Sequence, residues 1–133
     1  MGNVNLSDAA ANVEANALAP LMNGGTIAVY SGTQPASANT ALSGNTLLVT
    51  FTFGNPAFGA AAAGVLTANA IASGTAVATG TATFARILES GGAVVMDTTV
   101  GETGAGINLS TTTIIAGTLI PCDSFSYTVV EIS

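Results

Sequence analysis

Few side chains in this sequence are able to do chemistry. Arg86 is the single base, histidine and lysine are absent, and seven residues are acidic. The acidic residues are Asp8, Glu14, Glu89, Asp97, Glu102, Asp123 and Glu131. Without histidine or lysine the chain has no serine–histidine or cysteine–histidine pair, no imidazole zinc ligand, no Schiff-base amine and no P-loop lysine. This inventory predicts that the protein is not an enzyme.

Three features could still support chemistry, and each has a plainer explanation. Asp97 and Glu102 could form a general acid–base pair, but Asp97 is expected to pair with Arg86. Cys122 has no neighbouring base to deprotonate it, so a buried structural thiol is the favoured interpretation. The glycine-rich residues 101–106 lack the Gly-x-Gly-x-x-Gly spacing and the following helix of a phosphate loop, which indicates a hairpin loop. The sequence thus predicts no catalytic residue, no metal site and no cofactor.

The composition describes a single globular domain with an unusual surface. The chain has 133 residues, of which 49% are hydrophobic and only 6% are charged. Soluble domains usually carry about 25% charged residues, so alanine, glycine, serine, threonine and asparagine must form most of this surface. Such a surface loses water at little cost, because no unpaired charge has to be buried. The composition therefore predicts packing against other subunits, with an ordinary weakly charged monomer as the alternative.

The charge balance narrows the range of partners. With a net charge of −6 and one cation, the chain cannot neutralise several phosphates, which argues against nucleic acid and against anionic membrane surfaces. The single cysteine cannot form an internal disulfide, and we find no secretory signal near the N-terminus. Polar residues interrupt the alanine-rich residues 60–78, so no membrane span is expected. Folding in a cytoplasm is the expectation.

Residues 1–25 are predicted to form an N-terminal helical segment. Ser7 is a plausible N-cap, and Pro20 should end or kink the helix near Ala19. Apolar residues recur at helical spacing along one face, with Asp8, Asn12 and Asn16 opposite. The apolar residues are Leu6, Ala10, Val13, Ala17 and Leu21.

Residues 26–133 are predicted to form a β-sandwich domain that makes one globular unit with the helix. Residues 26–30 and 47–53 are β-branched or aromatic runs bounded by turn residues. Weaker strands are expected within 65–71 and 75–78, one or two within 107–120, and a closing strand over 125–132. Seven or eight short strands after one helix predict a mainly β, antiparallel sandwich or jelly-roll-like domain.

A hairpin is predicted around Gly91-Gly92, because a type I′ turn needs positive φ at both central residues. A two-residue loop places Leu88 opposite Val95 and Arg86 opposite Asp97. If this cross-strand ion pair is exposed, it contributes about 0.2–1 kcal/mol. We therefore interpret Arg86 and Asp97 as a structural pair that fixes the register.

The order of segments resembles that of small virion-associated proteins of tailed phages and prophages, over most of the chain. The residues that carry the resemblance are LSDAAA at 6–11, NGGTIAVYSGTQP at 23–35 and LVTFTFGNPAFG at 48–59. Proteins of this class look like capsid decoration or cement subunits, or other accessory parts of the head or tail. The resemblance implies no catalytic residue.

The resemblance implies a decoration subunit that stabilises the head by contacts with the major capsid protein or other virion proteins. It implies a homo-oligomer, with a trimer as the first expectation, that is made in the bacterial cytoplasm and located in the virion. The expected contact surface is the apolar helix face together with Phe58. Two alternatives stay open: a head–tail connector or tail component, and a β-sandwich module that binds a glycan or a receptor.

Overall fold

A computed structural model describes residues 6–129. A helix, α1 (Asp8–Leu18), leads into a 3-10 helix (Ala19–Met22) and then into β-strands. The strands are β1 (Thr26–Tyr30), β2 (Leu47–Thr52), β3 (Val65–Thr67), β4 (Gly74–Thr75), β5 (Gly80–Thr81), β6 (Phe84–Leu88), β7 (Val94–Gly101), β8 (Ile107–Leu109), β9 (Thr113–Ile114), β10 (Leu119–Ile120) and β11 (Cys122–Thr128). The predicted class, mainly β with one N-terminal helix, is confirmed. Residues 1–5 of the predicted helical segment, and residues 130–133 with Glu131 and the end of the predicted closing strand, lie outside the described residues.

Both predicted ends of the helix are confirmed. The Ser7 hydroxyl oxygen accepts a hydrogen bond from the Ala10 N–H at 3.1 Å, which satisfies one of the free donors of the first turn. The regular helix ends at Leu18, and Pro20 lies in the 3-10 turn that follows. Pro20 has no N–H to continue an α-helical ladder, so the chain tightens and then leaves the helix.

Three asparagines attach the helical segment to the rest of the fold. Their Oδ1 atoms accept backbone hydrogen bonds of 2.8–2.9 Å, from Gly64 to Asn12, from Ala61 to Asn16 and from Ala57 to Asn23. The segment that donates them, residues 57–64, forms one antiparallel bridge to β3, from Ala62 to Val65, and one to the residue after β3, from Phe58 to Ala68. The asparagines thus occupy donors along what would be a free sheet edge, the kind of edge that otherwise pairs with another chain.

The main sheet has seven strands in the order β2-β1-β6-β7-β8-β11-β3. Neighbouring strands are antiparallel except β7 and β8, which run parallel although only residues 102–106 connect them. This loop was predicted as a hairpin loop, and that prediction is wrong. Glycines make the tight return feasible: Gly104 has a φ of 70°, and a Cβ atom at Gly106 would collide with the side chain of Thr98.

Two short strand pairs form one further antiparallel element, which we call the ribbon (residues 74–82 and 112–120). Thr75 pairs with Leu119 in β4–β10, and Gly80 pairs with Ile114 in β5–β9, so both pairs share one register. Backbone hydrogen bonds from residues 76 and 82 to residues 118 and 112 continue the same register. The Val77 N–H donates to the carbonyl of β2 residue Leu48 at 2.8 Å. The ribbon therefore covers the β2 edge of the main sheet.

An aromatic cluster lies at the centre of the core. Phe53, Phe58 and Phe125 have ring centroids 5.6–5.8 Å apart and are at most 6% exposed. Phe58 was predicted to belong to a contact surface. Its burial against the other two rings excludes that role for the side chain in this fold.

The β6–β7 hairpin has a longer turn than predicted. The Gly92 N–H bonds to the Glu89 carbonyl, and the Glu89 N–H bonds to the Ala93 carbonyl. Gly92 has a φ of 95°, whereas Gly91 is not in the positive-φ region, so the predicted type I′ turn is wrong. The turn is a three-residue loop that ends in a left-handed glycine.

A bulge then restores the predicted register further along the hairpin. The longer turn sets Leu88 opposite Val94 rather than opposite Val95. The register shifts between Ile87 and Leu88, which leaves Val95 as the extra residue of β7. Beyond this bulge, Arg86 lies opposite Asp97 as predicted.

Candidate interaction surfaces

The Arg86–Asp97 pair is closed off from solvent. Nε and Nη2 of Arg86 donate to the two carboxylate oxygens at 2.7 and 3.0 Å, and Nη2 also donates to the Thr40 carbonyl at 2.8 Å. The side chains are 8% and 4% exposed, so the energy of an exposed pair does not apply to them: the loop containing Thr40 covers the pair. The hydrogen bond with Asp97 raises the pKa of Arg86, and burial opposes part of that rise. The pair holds strands and loop together and presents no charge to a ligand.

The two carboxylates considered for acid–base work have separate partners. Asp97 binds Arg86, and Oε2 of Glu102 accepts a hydrogen bond from the Thr112 N–H at 3.2 Å. Within residues 6–129 no group of three or more metal-ligating side chains could hold an ion. None of the helices within residues 6–129 is long and apolar enough to cross a membrane.

Cys122 lies in a polar-lined cleft of about 270 Å³ formed with residues 67–71 and 123–125. Burial raises the pKa of its thiol to about 11, the negative charge of Asp123 adds to the rise, and a backbone hydrogen bond with Ser124 opposes it. A thiol with this pKa is protonated at neutral pH and is therefore a poor nucleophile.

We expect Cys122 in the folded protein to react with iodoacetamide about 100-fold more slowly at pH 8 than in the unfolded chain. The thiolate fraction falls about tenfold for each unit by which the pKa exceeds the pH, and folding raises the pKa from 9.0 to about 11. The rate in the folded state should climb as the pH approaches 11. Mass-spectrometric alkylation rates, with and without guanidinium at the same pH, measure the ratio. Equal rates at pH 8 would contradict this assignment.

The predicted apolar face of the helix, which we call the helix stripe, points away from the domain. The helix instead buries Ala11 and Ala15, whose small side chains allow close approach to the sheet. In the stripe, Val13 is 69% and Leu21 is 45% exposed. The remaining members are Ala10 and Ala17, which are exposed, and Leu6, which is half-buried. The stripe is thus accessible, and its role as a contact surface stays a prediction.

The outer side of the ribbon, which we call the ribbon face, is a second accessible surface. Side chains alternate along paired strands, and the even-numbered positions Ala76, Ala82, Ile114 and Ile120 enter the core. Ala116 and Thr118, at the turn that interrupts the second strand, are exposed instead. The odd-numbered positions that carry side chains are all exposed. They are Thr75, Val77, Thr79, Thr81, Thr113, Ile115 and Leu119. The three aliphatic side chains among them are 55–68% exposed.

No residue of the ribbon is itself charged, and the Glu102 carboxylate reaches it only at one end, where it bonds to Thr112. The sequence has no charged residue between Glu14 and Arg86, and none between Glu102 and Asp123, and both strands of the ribbon fall within these intervals. Exposed apolar surface of this kind marks contact sites in soluble proteins. Sequence reasoning missed this face because its strands are two residues long. The alternation of larger and smaller residues in TAVATGTA at 75–82 was the available signal.

Comparison of the chain with protein-family models, with curated proteins and with solved structures finds no match. We therefore infer the function from the geometry and chemistry of the surfaces described above.

Proposed function

We propose that the protein is a non-catalytic structural subunit of a tailed-phage virion, and specifically a capsid decoration subunit that stabilises the head by protein–protein contacts. The observation that carries the proposal is the ribbon face, an exposed β surface of threonine and aliphatic side chains without a charge. Covering its side chains dehydrates none that is charged, and each Å² of apolar surface removed from water contributes about 25 cal/mol before the entropic cost of association is subtracted. The resemblance in segment order supports the choice of virion.

The helix stripe supports the same proposal from a different element of the fold. A subunit with two accessible surfaces can contact two neighbours at once, as a homo-oligomer bound to the major capsid protein requires. Each contact stabilises the folded subunit by mass action, because only the folded chain presents these surfaces.

We test the ribbon face with the double variant Val77→Glu/Leu119→Glu. Wild-type protein should self-associate or bind heads, and the variant should lose at least about 100-fold in affinity, because each buried unpaired carboxylate costs several kcal/mol. Gln34→Glu/Asn39→Glu, which adds the same charge to an exposed loop, is the matched control and should behave as wild type. Analytical ultracentrifugation and co-sedimentation with heads that lack the protein measure both.

Localisation in the particle is tested by reconstruction of virions from a strain that makes the protein and from a matched deletion strain. The decoration proposal requires extra density on the capsid lattice in the first particles and lower head stability in the second. A ring of density in the tail would replace decoration with the connector or tail alternative. A protein that stays monomeric and binds no particle would overturn the proposal.

A further inference from the structure

A cleft of about 350 Å³ opens within the main sheet between β7 and β11. At one end β8 lies between these strands and pairs with both. Before Ile107 the chain enters the 102–106 loop. The Gly106 N–H still donates to Oγ1 of Thr99 and its carbonyl accepts from the Ser126 N–H, but among the described residues no strand pairs with the parts of β7 and β11 that lie beyond this level. The cleft is lined by consecutive residues, 96–98 and 125–128, rather than by alternate ones. Strand edges, not one face of the sheet, therefore border it.

The hydrogen bonds of β11 show which of its backbone groups face the cleft. The Phe125 carbonyl and the Val129 N–H both bond toward β3, whereas the Ser126 N–H bonds to the Gly106 carbonyl on the side of β8. Backbone groups alternate in direction along a strand. The N–H and carbonyl of Thr128, and the carbonyl of Ser126, therefore point into the cleft.

The opposite edge is oriented in the same way. The Val100 N–H bonds to the Thr83 carbonyl, on the β6 side of β7. By alternation Thr98 also faces β6, and the backbone groups of Asp97 face the cleft. Among residues 6–129, no backbone hydrogen bond reaches the cleft side of Asp97.

The two edges are aligned as if one strand were missing. Val100 pairs with Ile107, and Ile107 pairs with Phe125. Counting three residues along each strand from this level sets Asp97 opposite Thr128. The cleft is thus the space that β8 would fill if it began about three residues earlier.

We propose that this cleft binds an extended, uncharged segment of a different protein as an added strand. A strand residue occupies about 3.3 Å along the strand, 4.8 Å between strands and up to 10 Å between layers, so the cleft holds two to three residues. Main-chain hydrogen bonds to both edges provide the affinity, as in other cases of strand addition. The inference does not depend on the assembly proposed above.

The walls of the cleft define the chemistry of the bound segment. Met96 and Tyr127 are half-buried and pack against the core, so a residue pointing inward should be apolar or β-branched. Ser126 and Thr128 are exposed on the outer side, which suits small polar residues. The Asp97 carboxylate is already neutralised by Arg86, and no other charged residue lines the cleft, so a charged segment gains no partner there.

The test uses the full-length protein and the peptide acetyl-Asn-Thr-Val-Thr-Val-Asn-amide, followed by amide hydrogen exchange in NMR spectra. At saturation, exchange of the Asp97 and Thr128 amides should slow at least about tenfold. Thr128→Pro removes one donor and should weaken binding about fivefold, whereas Thr128→Ala keeps the N–H and should change it less than twofold. A peptide with proline in place of both valines should not bind, and this comparison holds even if Thr128→Pro fails to fold.

Two results would overturn the inference. The first is unchanged exchange at these amides in millimolar peptide, or equal binding of the proline-containing peptide. The second is slow exchange at the same amides before any peptide is added, since the protein's own chain or a second copy would then already fill the cleft.

Discussion

Phe125→Ala is expected to lower the free energy of unfolding by about 4 kcal/mol, the typical cost of truncating a buried phenylalanine. Phe125 is 1% exposed, and its ring contacts those of Phe53 and Phe58. Removing it leaves a cavity where the helix-side segment 57–64 and β11 meet. Since domains are stable by only about 5–15 kcal/mol, this variant should melt more than 10 °C below wild type.

Two further variants make the Phe125 measurement specific. Phe125→Leu keeps most of the buried volume and should lose less than half as much stability. Val13→Ala truncates a side chain that is 69% exposed and should change stability by no more than about 0.5 kcal/mol. Urea unfolding followed by circular dichroism gives all three values. If Phe125→Ala cost no more than Val13→Ala, the aromatic cluster would not be the centre of the core.

Arg86→Met is expected to cost about 3 kcal/mol, the lower end of the range for breaking a buried ion pair, because only a surface loop covers this one. The variant leaves the Asp97 carboxylate 4% exposed without its bidentate partner. It also removes the donor to the Thr40 carbonyl, which holds the 31–46 loop against the sheet. Limited proteolysis should therefore cut this loop faster in the variant, while chemical denaturation reports the loss of stability.

The double variant Arg86→Met/Asp97→Leu distinguishes the loss of the ion pair from the cost of leaving the Asp97 carboxylate buried and unpaired. Replacing both partners by apolar residues of similar size removes the unpaired carboxylate, so we expect it to recover most of the stability lost by Arg86→Met. The loop should stay protease-sensitive, since the donor to Thr40 is still missing. A double variant as unstable as the sum of both single variants would show that the two side chains do not act as a unit.

The ends of the helix and the main strands could be predicted because local chemistry determines them. Ser7 caps α1 by accepting a hydrogen bond from a backbone N–H of the first turn, and Pro20 ends the regular helix because proline has no backbone N–H to donate. β1 was predicted with its observed bounds, since a run of β-branched residues lies between two glycine-containing turns. Which face of the helix packs against the domain could not be predicted in this way. The buried face consists of alanines, and asparagines attach it to the fold, so hydrophobic periodicity does not identify it.

The pairing of Arg86 with Asp97 was predicted correctly from an incorrect turn. The three-residue loop shifts the register by one, and the bulge at Val95 shifts it back. Two local irregularities cancel, and neither has a signature in the sequence that propensity alone would reveal. The burial of the pair was missed for a related reason, because it depends on a loop more than forty residues away in sequence from Arg86.

Of the candidate surfaces, only the helix stripe was named from the sequence, because its residues recur at helical spacing. The scarcity of charge indicated that further surfaces suited to subunit contacts exist, but not where they lie. The ribbon face is formed by strands of two residues. The β7–β11 cleft exists because β8 begins only at Ile107, after the 102–106 loop. Both depend on long-range pairing, which the pattern of single segments does not specify.

The attachment of the N-terminal helix by asparagine hydrogen bonds affects how the protein responds to warming. A helix that buries two alanines and is held by hydrogen bonds to Asn12 and Asn16 should detach at a lower free-energy cost than the aromatic core requires for melting. Its departure would uncover the backbone donors of Ala61 and Gly64 while the sheet remained intact. Heated samples should therefore turn cloudy through edge-to-edge aggregation before their β-sheet signal declines.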